Sequence, residues 1–189
     1  MKVVAVLFLL CCGLSGIHGE QSDIYDELRK MRIDLDNTVR DLEKLKTTYE
    51  GRKIAFSAGI SASATKYIGP FDHEFNLLYD LVFTNIGNAY NPITGIFTAP
   101  VRGVYQFDFR VYGQGSATPG NSGVRLLRNG TNILIAYGRQ GAGFIHSSNG
   151  VSQLLEVGDV VNLQLYPDSW IFDNINHYNT FSGHLLFPM

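Results

Sequence analysis

The segment TGIFTAPVRGVYQFDF, residues 94–109, decides the fold class of this chain. After Gly103, apolar side chains occupy every second position, at Tyr105, Phe107, Phe109 and Val111. The intervening positions hold Val104, Gln106, Asp108 and Arg110. Successive side chains of a β-strand point to opposite faces, so this alternation predicts a strand with one face in a hydrophobic core.

Short apolar runs separated by Gly, Asn, Pro and Ser fill the rest of the chain after Gly51. The predicted strands lie in KIAFSAGI, LLYDLVFTNIGNAY, GIFTAP, VYQFDFRVY, GVRLLRN, TNILIAYG, VSQLLEVG, VVNLQLY and TFSGHLLFPM. Asn129-Gly130 predicts a tight hairpin because both residues accept positive φ, and Gly158-Asp159 predicts a second turn. Strands at this spacing indicate an all-β sandwich or jelly roll.

The N-terminal residues 1–19 are predicted to be a secretory signal peptide, since Met1-Lys2 precedes an apolar run that ends near Leu14. This run is too short to span a membrane. Cys11 and Cys12 are the two cysteines of the chain, and both fall in this leader. We therefore expect a secreted protein without disulfides, which needs a large core or self-association for its stability.

Residues 20–50 are predicted to form a short coiled-coil helix, because apolar residues recur in a heptad pattern without Gly or Pro. The a positions are Leu28, Leu35, Leu42 and Tyr49, and the d positions are Ile24, Met31, Thr38 and Leu45. Four heptads form a weak seam, and Thr38 weakens it further. The alternative is a single amphipathic helix that packs on its own domain.

The charge balance and the motif content of the sequence argue against a nucleic-acid-binding protein and against an enzyme. The chain has 8 acidic and 8 basic residues from Gly51 onward, a balance that does not suggest a nucleic-acid-binding surface. There is no nucleophile-elbow sequence and no phosphate-binding glycine loop, and His73, His146, His177 and His184 lack metal-ligand spacing. The sequence thus predicts a non-enzymatic protein without a metal or other cofactor, calcium excepted as considered below.

A set of separated residues resembles the signature of the complement C1q globular-head family. Its positions are Asn85, Tyr90, Phe97, Gly103, Tyr105, Phe107 and Phe109. Tyr79 stands where the family normally has Phe, and His184 stands where an aromatic residue is common. The resemblance extends over residues 53–189, and it includes AFSAGI, LLRNG and TFSGHLLFPM, with Phe181 and Gly183 in the last. No Gly-X-Y repeat occurs, so a collagen stalk is not expected, and the order of signal peptide, brief coil and head is similar to that of short secreted, cerebellin-like members.

The resemblance implies a ten-stranded jelly roll related to the tumour necrosis factor fold, with the head at residues 51–189. It also implies a tight homotrimer. The chain has 10 Tyr, 12 Phe and 1 Trp, enough aromatic side chains for a core and a subunit interface.

Two regions are candidate sites. Asn129-Gly130-Thr131 is an N-glycosylation sequon on the predicted hairpin, although Asn-Gly also serves the turn by itself. The loop YPDSWIFDNINHYN, residues 166–179, offers candidate ligand-binding residues, which are Asp168, Trp170, Asp173, Asn174 and Tyr178. Carboxylates and amides are calcium ligands, and some heads of the family hold calcium, but the spacing matches no calcium loop and also suits a solvated loop.

The sequence therefore favours a secreted homotrimer that recognises extracellular proteins, glycans or microbial surfaces through repeated contacts, in innate immunity. The alternative is a secreted ligand that clusters a cell-surface receptor, like cerebellin or tumour-necrosis-factor relatives. A matrix component is a third reading. The lack of cysteines outside the leader favours the immune function over the cerebellin-type one.

Overall fold

A computed structural model of the chain describes residues 2–60, 64–115 and 120–189. The chain divides into two compact units, one up to Glu50 and one from Gly51 to Met189. The first is helical and the second is built of β-strands. The change of period in the sequence at Gly51 thus coincides with a change of secondary structure.

Helix α1 extends from Lys2 to Glu50 and ends directly before Gly51. The predicted leader and the predicted coil, apart from Met1, both fall on this one helix. In the parts of the chain that the structure describes, no helix has both the length and the apolar character that a membrane crossing requires.

The second unit has thirteen strands among its described residues, where the resemblance implies ten. They are β1 Ala55–Gly59, β2 Lys66–Ile68, β3 Phe75–Asn76, β4 Leu81–Ile86, β5 Tyr90–Asn91, β6 Ile96–Thr98, β7 Gly103–Gly115, β8 Gly120–Arg128, β9 Thr131–Gln140, β10 Gly143–Leu155, β11 Val160–Leu165, β12 Ile171–Asp173 and β13 Thr180–Pro188. The higher number comes from very short strands, since β2, β3, β5, β6 and β12 have two or three residues each.

Two sheets form the body of this unit. Within the described residues, one sheet has the order β10-β7-β13-β1-β4, and the other has the order β5-β6-β11-β8-β9, with β3 also paired to β11. Strand β12 pairs with β2 in a separate ribbon. Neighbours that are distant in sequence, such as β7 with β13, give the crossed connections of a jelly roll.

The alternation in β7 is confirmed by burial. Tyr105, Phe107, Phe109 and Val111 are completely buried, and the residues between them are partly or largely exposed. The opposite sheet supplies Phe97 and the neighbouring strand β13 supplies Phe181, whose rings lie 5.2 Å and 6.2 Å from the ring of Phe107. The quoted segment therefore forms the centre of the core.

The polar signature residues close a turn around this core. Asn85 donates from Nδ2 to the Tyr90 carbonyl oxygen at 2.8 Å, and its Oδ1 accepts the Tyr90 N–H at 3.3 Å. The Tyr90 hydroxyl group donates to the carbonyl oxygen of Tyr79 at 3.0 Å. The Asn85 side chain thus pairs with the Tyr90 backbone as a neighbouring strand would, and it fixes the connection between β4 and β5.

Gly103 and Gly183 are required by close packing. A Cβ atom on Gly183 would lie 2.6 Å from the rings of Phe56 and Phe107. One on Gly103 would lie 2.6 Å from the carbonyl oxygen of Phe187. Any larger residue at either position would separate β13 from β7.

The two predicted turns have different roles. Asn129 and Gly130 have φ of 49° and 77° and join β8 to β9 as a hairpin, as predicted. The turn at Gly158-Asp159 joins β10, which pairs with β7, to β11, which pairs with β6 and β8. This turn therefore connects the two sheets and does not form a hairpin.

Candidate interaction surface

Asp173 organises the 166–179 loop from inside. Its Oδ1 accepts the backbone N–H groups of Asn174 at 2.8 Å and Tyr178 at 2.9 Å. Its Oδ2 accepts the backbone N–H of Asn179 at 3.2 Å and that residue's Nδ2 at 3.0 Å. The residue is buried, and four donors occupy its carboxylate. Asp173 therefore acts as a structural residue of the loop.

Asn179 links this loop to the sheet. It is buried, its Nδ2 also donates to the Phe172 carbonyl oxygen at 2.7 Å, and its Oδ1 accepts the Tyr112 N–H at 2.8 Å. A buried amide with all of these partners holds the loop rigidly against β7 and β12. The sequence analysis did not select this residue.

Asp168 and Trp170 lie at the other end of the loop. Asp168 is exposed with a φ of 58°, and its N–H donates to the Phe71 carbonyl oxygen at 2.8 Å. Trp170 is half-buried, its N–H donates to the Asn121 carbonyl oxygen at 3.0 Å, and its ring lies 5.6 Å from that of Tyr67. These two residues are accessible to a ligand.

Asn174 and Tyr178 are half-buried. Asn174 Oδ1 accepts the N–H of Asn176 at 2.8 Å, in an Asx turn. The ring of Tyr178 stacks on that of Tyr112 at 4.4 Å. The five predicted loop residues thus occupy three different settings, which are the buried interior, the ribbon side and the β7 side.

The loop does not fit a calcium ion well. Calcium needs several free oxygen ligands, and the lone pairs of Asp173 are taken by N–H groups. Among the described residues, no three His, Cys, Asp or Glu side chains lie close enough to hold a metal.

An aromatic patch extends from the loop onto the sheet. We define it by four residues, which are Tyr112, Phe144, Phe172 and Tyr178. The ring of Tyr112 lies 5.3 Å from Phe144 and 5.9 Å from Phe172, and Phe172 lies 5.7 Å from Phe144. Phe144 is 51% exposed. Burial and then the neighbouring Tyr178 raise the pKa of Tyr112, so the hydroxyl of Tyr112 stays protonated at physiological pH.

The outer face of the five-stranded sheet continues from this patch. We define the outer face by side chains that point away from the core. Two rows cross it in register: Ser152, Gln106, His184, Ala55, Ile86, and then Gly150, Asp108, Ser182, Ser57, Thr84. The middle strands carry small residues together with Gln106, His184 and Asp108, and the apolar Ile86, at 52% exposure, stands on the edge strand β4.

A hydrogen-bonded group lies in the middle of the outer face. The Ser152 hydroxyl donates to Gln106 Oε1 at 2.6 Å, and Gln106 Nε2 lies 3.3 Å from both carboxylate oxygens of Asp108. These three side chains thus satisfy one another's hydrogen-bonding groups. The polar groups in the middle of the outer face are therefore paired with one another, so another protein surface can cover them without leaving them unsatisfied.

Most of the aromatic patch is not among the residues predicted from the sequence, although the sequence carries a signal for it. Tyr112 belongs to the alternate positions of β7 whose side chains point away from the core, whereas the four buried residues before it belong to the other set. An aromatic residue at an outward-pointing position indicates a contact surface. Strand β10 begins at Gly143, eight residues before the predicted VSQLLEVG, and thus includes Phe144. Its first half, GFIHSSNG, is rich in Gly and Ser and has little strand propensity.

Asn129 is exposed at the hairpin, and its side chain is already engaged. Nδ2 donates to Asp159 Oδ1 at 2.8 Å, and Oδ1 accepts the Val160 N–H at 2.9 Å. The hydrogen bond from Asn129, with help from the Glu156 N–H and Arg128, lowers the pKa of Asp159. The sequon nitrogen thus contributes to the turn that joins the two sheets.

The heptad seam of α1 is exposed along its length. Its apolar members are 52–65% exposed: Ile24, Leu28, Met31, Leu35, Leu42, Leu45 and Tyr49. At the remaining d position, the Thr38 hydroxyl donates to the Asp34 carbonyl oxygen at 2.8 Å. The polar group in the seam is therefore satisfied within its own helix.

Comparison with known proteins confirms the resemblance stated above. The profile of the C1q domain matches residues 55–186. The chain is 32% identical over 119 residues to the Complement C1q tumor necrosis factor-related protein 6 of Mus musculus. That alignment covers 61% of this chain and 44% of the relative, so the chain spans less than half the length of the curated relative it matches.

Solved structures confirm the jelly-roll fold. The globular domain of zebrafish complement 1qA superposes with a TM-score of 0.54 at 20% identity, over 72% of this chain and 99% of that one. Murine APRIL gives 0.56 at 9% identity, over 71% and 99%. The Eiger TNF of S. frugiperda gives 0.55 at 11% identity, over 73% and 95%. At these identities the likeness concerns the fold alone.

Proposed function

Since this chain belongs to the C1q domain family, we propose that it is a secreted homotrimeric recognition protein that binds extracellular ligands multivalently in innate immunity. The C1q domain is a non-enzymatic binding domain, and the chain is accordingly a binding protein and not an enzyme. The expected leader at residues 1–19 supports secretion.

The observation that carries the proposal is the outer face together with the aromatic patch. The polar side chains in the middle of the outer face are short or already hydrogen-bonded, so covering them with another copy costs little conformational entropy. Exposed apolar side chains beside them, such as Ile86 and Phe144, supply apolar area that this contact would bury. Each such contact on a threefold axis occurs three times. We infer that these two surfaces hold the heads together.

Ligand recognition is assigned to the loops that self-association leaves accessible. The exposed ring of Tyr67 lies 5.6 Å from the half-buried ring of Trp170, and the exposed carboxylate of Asp168 is two residues before Trp170 in the chain. Aromatic side chains at such positions are common anchors of binding sites. Three copies of a weak site on one particle bind a repetitive surface much more tightly than one copy does.

The proposal is tested by comparing binding and mass for two substitutions on the full chain. Ser57→Arg places a large charge at the centre of the outer face, on a side chain that points away from the core. Val157→Arg places the same charge on an exposed turn and serves as the control. We expect Ser57→Arg to reduce the sedimenting species to single chains, and Val157→Arg to leave a trimer.

The same samples separate the two functions. Binding of the wild-type trimer to immobilised microbial polysaccharides, lost in the Ser57→Arg variant, is the expected result. Binding to receptor ectodomains with no binding to polysaccharides would contradict the immune function and favour the receptor-clustering alternative. An unchanged mass for Ser57→Arg would contradict the assigned interface.

A further inference from the structure

Charged residues flank the exposed seam of α1 asymmetrically. With the a and d positions given above, the g positions hold Glu27, Asp34 and Asp41, and the e positions include Arg32 and Lys46. One border of the seam is therefore acidic, and the other carries the two basic residues. All five side chains are exposed, so they are available for contacts with another helix.

The relative direction of two helices decides which of these borders meet. In a parallel coil, each g residue faces the e residue of the following heptad on its neighbour. This arrangement places Glu27 beside Arg32 and Asp41 beside Lys46 of the neighbouring chain. An antiparallel coil places g beside g and e beside e, so acidic residues face acidic ones. The charge pattern thus favours the parallel direction.

Asp41 has a partner within its own helix, and this pair is exposed. Lys44 lies 3.5 Å from Asp41 as an exposed pair one turn away, with both side chains more than 70% exposed. Such exposed pairs are weak and rearrange readily. Asp41 is therefore able to contact a neighbouring chain.

The seam residues are also informative about the number of chains. Leu occupies three of the four a positions, which are 28, 35 and 42, and β-branched residues occupy two of the four d positions, which are 24 and 38, beside Met31 and Leu45. Two-stranded parallel coils prefer the reverse, with β-branched residues at a and Leu at d. The seam is consequently better suited to more than two helices.

We propose that residues 24–49 assemble with the same segment of further copies of this chain, in parallel and in register, with Glu27–Arg32 and Asp41–Lys46 pairs between neighbours. This inference rests on the proposed homotrimer and adds the direction and register of its helical segments.

Disulfide trapping tests the direction on the full chain. Leu28→Cys and Leu45→Cys are made separately, oxidised mildly, and compared with the unsubstituted chain, which controls for Cys11 and Cys12. In a parallel register each variant cross-links with itself, because equivalent positions face one another. In an antiparallel register neither does so, and only their mixture cross-links. The second result would overturn the inference.

Charge reversal tests the pairs themselves. Glu27→Lys should lower the self-cross-linking of Leu28→Cys, and adding Arg32→Glu should restore it, because the pair is then re-formed with opposite polarity. Glu43→Lys, at a b position, is the matched control. Equal yields for Glu27→Lys and Glu43→Lys would overturn the assignment of the pairs.

Sedimentation of the same samples separates this inference from the proposed function. Trimers that do not cross-link at position 28 or 45 would refute the parallel coil and leave the trimeric head standing. Single chains throughout would refute both.

Discussion

At the residue scale, Tyr79 carries a hydroxyl group into the centre of the core. The side chain is completely buried, and among the described residues its hydroxyl has no hydrogen-bond partner. Burial raises the pKa of this hydroxyl, with smaller contributions from Tyr90 and Asp173, so the group stays protonated. An unpaired buried hydroxyl is costly, which explains why Phe is the usual residue here in the signature.

We therefore expect Tyr79→Phe to raise the free energy of unfolding by about 1 kcal/mol. Tyr90→Phe is the matched comparison, because its hydroxyl donates to the Tyr79 carbonyl oxygen at 3.0 Å. That change should lower the free energy of unfolding by about 1–2 kcal/mol, since it leaves a buried acceptor unpaired. Urea denaturation of both variants measures these changes, and a loss of stability for Tyr79→Phe would show that its hydroxyl has a partner.

Core residues and site residues differ in how well the sequence alone predicts their surroundings. Tyr105, Phe107 and Phe109 were predictable because their burial follows from strand alternation alone. Asp173 was selected as a ligand residue because of its chemistry, yet the structure buries it. Its position depends on Asn179 and on the backbone of the loop, which are brought to it only by the folded chain.

At the scale of elements, Asp159 connects two turns that are distant in sequence. It accepts hydrogen bonds from Asn129 Nδ2 at 2.8 Å, from Arg128 at 2.7 Å and from the Glu156 N–H at 2.9 Å. These donors lower the pKa of Asp159 below its ordinary value of 3.8. The carboxylate thus holds the β8–β9 hairpin to the β10–β11 connection.

A carboxyl group with a lowered folded-state pKa stabilises the fold above its ordinary pKa, and this contribution is lost as the pH falls through the folded value. We expect Asp159→Asn to reduce thermal stability at pH 7, with a smaller difference from the wild type below pH 3.8. Asp26→Asn, an exposed carboxyl on α1, removes the same charge as a control. If Asp159→Asn is less stable than the wild type by the same amount from pH 7 to pH 3, the electrostatic explanation is refuted.

Local sequence signals predicted the elements better than their pairing. Asn129-Gly130 specified a hairpin because positive φ at both residues is a local property. Gly158-Asp159 specified a turn but not which sheet the next strand enters, since that depends on the partners of β11. Strand β10 was extended backwards by its pairing with β7, which overrides the weak strand propensity of Gly143–Gly150.

At the scale of the whole molecule, stability depends on the core and on association. The two cysteines lie in the expected leader, so disulfides do not contribute to the proposed mature form. The head has its own core rich in aromatic rings, and it presents an outer sheet face with an aromatic patch beside it. We propose that the head drives assembly, and that the weak four-heptad coil adds to it.

Sedimentation equilibrium of residues 51–189, over a range of concentrations, tests this claim most directly. The fragment forms a compact unit by itself and retains the complete outer face. We predict a species with three times the mass of one fragment. A single-chain mass at all concentrations would contradict the claim and would show that the helical segment drives the association.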